Sequence, residues 1–314
     1  MQTIIYDGSF AGFLSGIFDI YEYKFKDTQY VRPVGYADPS CLSGPASSSR
    51  QPIGSSSSTN AASSSSPNRL IGSDDSTRFN DSAGTGHTMG LPTSLFSQPH
   101  HVVTSEDRAL RIWRGIGKHI SAQAARSIYA AFLSEKTGIE DVLFRYIKYI
   151  FDSRQSVEKD FSNENVLQVS KTAGKVHREK HRMEAFVRFK LTGDGLYYAL
   201  VDPDFNVLPL ISDHFQRRYA DQRWMIYDTR RKYGIYYDLT GVTTVSVQFD
   251  EKTKSANSII DLLDEKEGLY QELWQRYFAS VNIPARKNTK LHIQHMPYRY
   301  WKHLTEKMPV RHRR

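Results

Sequence analysis

A few histidine and acidic side chains could carry out metal or acid–base chemistry. His177 and His181 lie one helical turn apart in the string HREKH and could share a metal ion. The glutamate between them, however, stands one place too late for the HExxH arrangement of zinc hydrolases, and the sequence offers no obvious third ligand nearby. We therefore predict hydrogen-bonding or phosphate-facing roles for the pair, with no metal site and no cofactor.

Two aspartates occupy positions at which catalytic carboxylates are often found. Asp7 follows a short predicted strand, but the same position fits an ordinary turn that caps the next helix. Asp202 begins the string DPDFN, in which two carboxylates could act together, although the proline favours a turn between strands. The sequence contains no P-loop, GxGxxG or GxSxG motif and identifies no enzyme. The candidate catalytic residues are Asp7, His177, His181 and Asp202.

The clearest pattern is a row of cations on a helix predicted to begin near Val166. Its apolar residues recur close to the 3.6-residue period of a helix with one buried face, at Val166, Val169, Ala173, Val176 and Met183. Nearly opposite lie four cations with their own helical spacing, Lys171, Lys175, Arg178 and Arg182. Such a row fits contacts with phosphate groups, and a solvated charged face is the alternative.

Two further groups of residues extend this basic character. Arg188 lies in the run from Glu184 to Phe189, whose alternation predicts a strand directly after the helix. Near the C-terminus, aromatic and basic residues alternate as they do on surfaces that bind single strands. These C-terminal candidates for nucleic-acid binding are Arg299, Tyr300, Trp301 and Lys302. The alternative is a docked tail in which Tyr300 and Trp301 are buried.

Positive charge is concentrated in these two regions. The chain has 314 residues and a formal charge of +8. Residues 171–190 contain seven Lys or Arg and two acidic residues, and residues 284–314 contain nine and one, so the two segments are net +5 and +8. The rest of the chain is net negative. Concentrated charge of this kind favours binding to a polyanion such as nucleic acid.

The elements that must position these residues predict an α+β fold. Amphipathic patterns over 105–116, 121–132 and 137–151 predict three helices that form a bundle with the basic helix. Runs rich in Tyr, Val, Ile and Trp then predict a mostly antiparallel sheet, with strands at 196–201, 223–228, 232–238 and 243–248. Two more helices are predicted at 211–219 and 259–281.

Composition defines the domain organisation and the compartment. We predict that residues 1–36 supply the N-terminal strand and helix of the main domain, and that residues 100–314 supply the rest. Residues 37–99 are rich in Ser and poor in large apolar residues, which predicts a disordered insertion. No apolar run approaches the length of a membrane helix, no signal peptide is evident, and Cys41 is the only cysteine. We expect a cytoplasmic protein without a membrane partner.

Three segments carry a resemblance to a known family: YDGSFAGFLSGIFDIYE, GKVHREKHRMEAFVRF and QHMPYRYWKHLTEKMP. They resemble a bacterial family whose members are labelled DNA metabolism or DNA repair proteins and are assigned to a domain of unknown function. The resemblance extends over nearly all of the chain outside residues 37–99. It implies a domain that is either fused to a uracil-DNA glycosylase-like domain or freestanding and encoded beside a radical-SAM protein. We expect a freestanding member, and the resemblance supplies no catalytic residue.

Three functional hypotheses follow. The first is a DNA-binding accessory protein in DNA repair or metabolism that acts with a radical-SAM or uracil-DNA glycosylase-like partner. The second is a hydrolase or lyase that itself acts on damaged DNA. The third is a scaffold whose basic faces bind an acidic protein rather than DNA.

Overall fold

A computed structural model describes residues 1–32, 98–153, 155–246, 267–281 and 288–307. Side chains at 267–268 and 277–281 are outside this description. The predicted disordered insertion at 37–99 also lies outside the described residues, apart from its last two positions. The same holds for the beginning of the helix predicted at 259–281, which the structure describes from Glu267 onward.

Five helices form the bundle that precedes the larger sheet. Short polar side chains begin several of them: Ser9, Ser105, Ser121 and Asn163 each accept a hydrogen bond from a backbone N–H in the first helical turn. In the bundle, α1 packs on α2, and α5 packs on both α3 and α4. The helices are α1 (Phe10–Glu22), α2 (Glu106–His119), α3 (Ala122–Phe132), α4 (Ile139–Asp152) and α5 (Glu164–Phe186).

A small parallel sheet joins the two sides of the insertion. It consists of β1 (Gln2–Ile5), β2 (Thr28–Val31) and β3 (His100–His101), in the order β2-β1-β3. β1 therefore pairs with a strand before the insertion and with a strand after it. Residues 1–32 thus belong to the same compact unit as the rest of the described chain.

The larger sheet has five strands in the order β4-β5-β6-β7-β8. Three of its four pairings are antiparallel, and β5 and β6 pair in parallel, joined by a crossover through helix α6 (Leu208–Arg218). The α+β prediction is confirmed, and this sheet is mostly antiparallel as expected. Its strands are β4 (Lys190–Leu191), β5 (Tyr197–Val201), β6 (Trp224–Asp228), β7 (Tyr233–Tyr237) and β8 (Val242–Val245).

The bundle and the larger sheet share one hydrophobic core. Trp224 and Ile226 of β6 are fully buried, and they belong to the same cluster as Val176 of α5. Two helices, α7 (Glu267–Val281) and α8 (Thr289–His295), then precede a pair of short 3₁₀ helices, Tyr298–His303 and Thr305–Lys307. Within the described residues, no helix combines the length and the apolar character needed to cross a membrane.

One predicted element is wrong. The run from Glu184 to Phe189 is not a strand, because α5 continues to Phe186 and the backbone N–H of Val187 closes its last turn on Met183. The next strand, β4, begins only at Lys190. Phe186 packs beside the ring of Tyr300, at 5.3 Å between ring centroids. Six residues of alternating polarity are too few to distinguish a strand from the end of an amphipathic helix.

Candidate nucleic-acid interface

Helix α5 carries the first part of the candidate interface. Its buried side is held in the core by Val169, Ala173 and Val176. The opposite side exposes Lys171, Lys175 and Arg178, and none of these three forms an ion pair with another described residue. The predicted division of this helix into a buried face and a cationic face is confirmed. We call Lys171, Lys175, Arg178 and Arg182 the α5 cation stripe.

Arg182 ends the stripe beside a buried carboxylate, Glu179. The Glu179 residue is 1% exposed, and its Oε2 lies 3.9 Å from an Arg182 guanidinium nitrogen. The same Oε2 accepts hydrogen bonds from Arg299, at 2.7 Å, and from the Tyr300 hydroxyl, at 2.5 Å. Its Oε1 accepts the backbone N–H of Asp204 at 3.1 Å. Glu179 therefore brings the α5 cation stripe and the C-terminal basic residues together.

Tyr300 is part of this buried contact, which corrects one expectation. The residue is 3% exposed, so its ring cannot stack on a base. Burial, with a further contribution from the hydrogen bond to Glu179, raises the pKa of the Tyr300 hydroxyl to about 12. Trp301 is half-buried and donates its indole N–H to the Met296 carbonyl at 2.9 Å. The exposed tyrosine in this segment is Tyr298, at 60%.

The remaining predicted cations of the interface are paired with carboxylates. Arg188 donates to both carboxylate oxygens of Glu306, at 2.8 and 3.3 Å. Burial on its own would raise the pKa of Glu306, but the hydrogen bond and charge of Arg188 help to hold that pKa below its ordinary value. Lys302 contacts Asp202 at 2.5 Å, and this hydrogen bond lowers the pKa of Asp202.

Arg299 is similarly occupied, because it also forms an ion pair with Asp204. Its side chain is still 40% exposed. Arg299 and Lys302 therefore each contact a carboxylate of the same chain. The C-terminal basic residues are thus less available to an external anion than those of the α5 cation stripe.

The candidate catalytic residues do not form one site. Asp7 accepts hydrogen bonds from the backbone and hydroxyl of Ser9 and from the Thr104 hydroxyl, so it organises the turn before α1. Asp202 is paired with Lys302, as described above. The two histidines, one turn apart on α5, differ from each other. His181 has a side chain that is 86% exposed, whereas Nε2 of His177 is buried without a hydrogen-bond partner among the described residues.

The electrostatic environment of His177 favours its neutral form. Burial, Lys180 and Arg126 all lower its pKa. The described part of the chain contains no group of three or more His, Cys, Asp or Glu side chains placed to hold a metal ion. Within the described structure, Asp7, Asp202 and the two histidines are thus not part of such a group of metal ligands.

Sequence analysis missed the network that supports Asp204. Arg231 bridges the carboxylates of Glu135 and Asp228, each at 2.8–2.9 Å, and donates to the carbonyl oxygens of Pro203 and Asp204. Asp228 ends β6 and is fully buried, and burial raises its pKa. This network holds the loop after β5 in the position from which Asp204 contacts both Glu179 and Arg299. The sequence gives no signal for it, because the partners are up to 96 residues apart.

The comparisons with known proteins identify a family and nothing more specific. A family described as a domain of unknown function, DUF4130, matches residues 137–306. The match covers just over half of the chain and includes the whole of α5, Arg188 and the C-terminal residues Arg299–Lys302. No curated protein and no solved structure matches the chain.

Proposed function

We propose that this chain, which belongs to the DUF4130 family of domains of unknown function, is a DNA-binding accessory protein that contacts the phosphate backbone through the α5 cation stripe. The observation that carries this proposal is the set of three exposed cations on one helix face without an ion partner among the described residues. A cation that is not already paired can bind a phosphate without first giving up another contact. Lys171, Lys175 and Arg178 therefore favour an external polyanion.

The dimensions of the stripe suit a nucleic acid. From Lys171 to Arg182 the helical rise amounts to roughly 16 Å. Duplex DNA carries about one negative charge per 1.7 Å of its axis, so several phosphates lie within reach of this length. Arg182 lies at the end of the stripe, 3.9 Å from Glu179, and can extend the contact. The stripe is thus a continuous track of cations rather than a pocket for a small anion.

The side chains also indicate what kind of DNA recognition to expect. Lysine and arginine side chains that project freely from a helix contact phosphates without fixing a base-specific geometry. The stripe would therefore position DNA without selecting its sequence, and its affinity would fall steeply with salt. This behaviour suits a protein that presents DNA to an enzyme.

The accessory role rests on two considerations. The candidate catalytic residues are distributed over separate positions, and Asp7 and Asp202 are engaged in structural contacts. The proposed enzyme partner, a radical-SAM or uracil-DNA glycosylase-like protein, follows from the family resemblance of the sequence. DNA repair or DNA metabolism is the process in which we place the protein.

Fluorescence anisotropy with labelled DNA tests the proposal. The purified chain, a K175A/R178A variant and a K26A/K159A control would be titrated against the same single-stranded and duplex oligonucleotides. The control removes two other exposed cations, so its net charge equals that of the test variant. We expect K175A/R178A to lose affinity on the order of tenfold at moderate salt, with the control close to wild type. Equal losses of affinity in both variants would show that the stripe contributes only through the net charge of the protein. If the wild-type chain does not bind DNA, the proposal is wrong.

A further inference from the structure

A second basic face, which the proposed function does not use, lies on helix α2. Arg111, Arg114 and Lys118 follow one another at helical spacing and are exposed. None of the three forms an ion pair with another residue in the described ranges. On the buried side of the same helix, Ile112 and Ile116 pack in the core. The helix is therefore anchored on one side and presents three available cations on the other.

These cations line a surface groove of about 530 Å³. Leu110 and Gly115 contribute its apolar surface, and Asp107 is its one acidic lining residue. The lining therefore contains three cations and one carboxylate. The groove thus combines net positive charge with apolar surface, a combination that suits a ligand carrying both phosphates and flat apolar groups.

Aromatic side chains adjoin the groove. A side chain on Gly115 would bring its Cβ within 3.3 Å of the Phe151 ring, so the glycine leaves room for Phe151 at the edge of the groove. The Phe151 ring lies 6.0 Å from the ring of Tyr21, which is 41% exposed. The ring of His119, which is also exposed, lies 6.0 Å from the same phenylalanine ring. The exposed Tyr21 ring is thus connected to the groove through Phe151, which lies against the lining residue Gly115.

We propose that this surface, consisting of Arg111, Arg114, Lys118 and Tyr21, binds single-stranded DNA. The cations contact successive phosphates, and the Tyr21 ring stacks on an unpaired base. Bases in a duplex are stacked on one another and cannot reach a protein ring in this way, so the aromatic contact selects single strands. The inference rests on the proposed function, because it assumes that the chain binds DNA, and it adds a second contact with a strand preference.

The test uses a fluorescein-labelled oligothymidylate and a duplex of the same length. The chain would be compared with variants R114A/K118A, Y21A and Y21F, with K175A/R178A as the stripe variant and K26A/K159A as the charge control. We expect Y21A to weaken oligothymidylate binding roughly 5- to 150-fold and to leave duplex binding almost unchanged. Y21F should bind like wild type because it keeps the ring. R114A/K118A should flatten the dependence of log K on log salt by about 1.4 for the single strand.

The outcomes separate this inference from the proposed function. If wild type binds and K175A/R178A weakens binding, but Y21A and R114A/K118A bind oligothymidylate like wild type, the α2 surface is not a DNA contact and only this inference fails. Loss of single-strand affinity in Y21F as well as Y21A would also contradict it, because the ring would not be the contact. If wild type binds neither DNA, both proposals fail. Circular dichroism melts of each variant show that the losses do not come from unfolding.

Discussion

The α5 cation stripe and the C-terminal basic segment contrast in how they use the same chemistry. In the sequence they lie in the two regions of highest positive charge, net +5 over residues 171–190 and net +8 over residues 284–314. In the structure, Lys171, Lys175 and Arg178 are exposed without an ion partner among the described residues. Arg299 and Lys302 instead contact carboxylates of the same chain.

The contrast shows that a dense run of cations does not by itself define a binding surface. The acids that occupy the C-terminal cations are remote in sequence: Glu179 lies 120 residues from Arg299, and Asp202 lies 100 residues from Lys302. A cation in such a contact must exchange one anion for another, so its gain from binding phosphate is small. We therefore expect the C-terminal segment to contribute more to the stability of the fold, and the proposed DNA contact to lie on the stripe.

The largest effect expected from this contrast concerns Glu179. Replacing it with Ala leaves Tyr300 buried without its acceptor and removes one of the two carboxylate partners of Arg299. Because Arg299 is half-exposed and keeps Asp204, we expect a loss in the free energy of unfolding of about 3 kcal/mol, at the lower end for a broken buried ion pair. Urea denaturation of E179A and wild type measures this loss in the free energy of unfolding. E179Q keeps only one of the two acceptor oxygens and places an amide NH2 group opposite a former donor, so we expect it to lose less than E179A but to stay below wild type. Equal losses in E179Q and E179A would show that the remaining acceptor contributes little.

The next effect concerns Arg188 and depends on pH. Its ion pair with Glu306 helps to keep the folded-state pKa of that carboxyl below the ordinary 4.5. A lowered folded-state pKa means that the pair stabilises the fold above pH 4.5 and loses this effect as the pH falls through the folded-state pKa. We expect R188A to reduce the free energy of unfolding by about 2 kcal/mol at neutral pH, as is typical of hydrogen bonds to charged groups. The difference from wild type should shrink in acid.

Urea denaturation of R188A and wild type at a series of pH values checks this prediction. Comparing the two proteins at each pH removes the effect of other titrating groups. R188K, which keeps the charge but not the two-pronged contact, should fall between them. A difference that stays constant from neutral pH to well below pH 4.5 would contradict the assignment of this ion pair as a stabilising contact of the C-terminal segment.

A smaller effect distinguishes folding from binding at Tyr300. Y300F removes only the hydroxyl that donates to Glu179, and we expect the free energy of unfolding to fall by about 1.5 kcal/mol. Affinity for single-stranded DNA should remain that of wild type, because the ring is buried and has no access to a base. Denaturation and anisotropy measured on the same preparation check both parts. Weaker DNA binding by a stably folded Y300F would place the C-terminal segment in the interface after all.

The sequence predicts helix α5 well because two independent patterns agree on it. The buried residues, such as Val169 and Val176, and the cations, such as Lys175, each repeat at the helical period on opposite sides. The C-terminal segment has no such period, so neither the burial of Tyr300 nor the exposure of Tyr298 could be predicted. Their environments are set by tertiary contacts rather than by local pattern.

Two other features differ in how far the sequence could have revealed them. The network around Arg231 joins Glu135, Asp228 and the loop after β5, and only the folded chain brings these segments together. The cations of α2, in contrast, show the same helical spacing as those of α5 and could have been recognised from the sequence. The net charge of the helix does not reveal these cations, because Glu106 and Asp107 in its first turn offset part of their charge.

The measurement that tests the central claim most directly is the salt dependence of DNA binding by K175A/R178A. Both side chains are exposed, so stability should change by less than about 0.5 kcal/mol, and any change in binding reflects lost contacts. If each cation contacts one phosphate, the slope of log K against log salt should flatten by about 1.4 to 1.8 relative to wild type, the lower figure for single strands. The K26A/K159A control should keep the wild-type slope. An unchanged slope and affinity in K175A/R178A would show that the α5 cation stripe is only a solvated face.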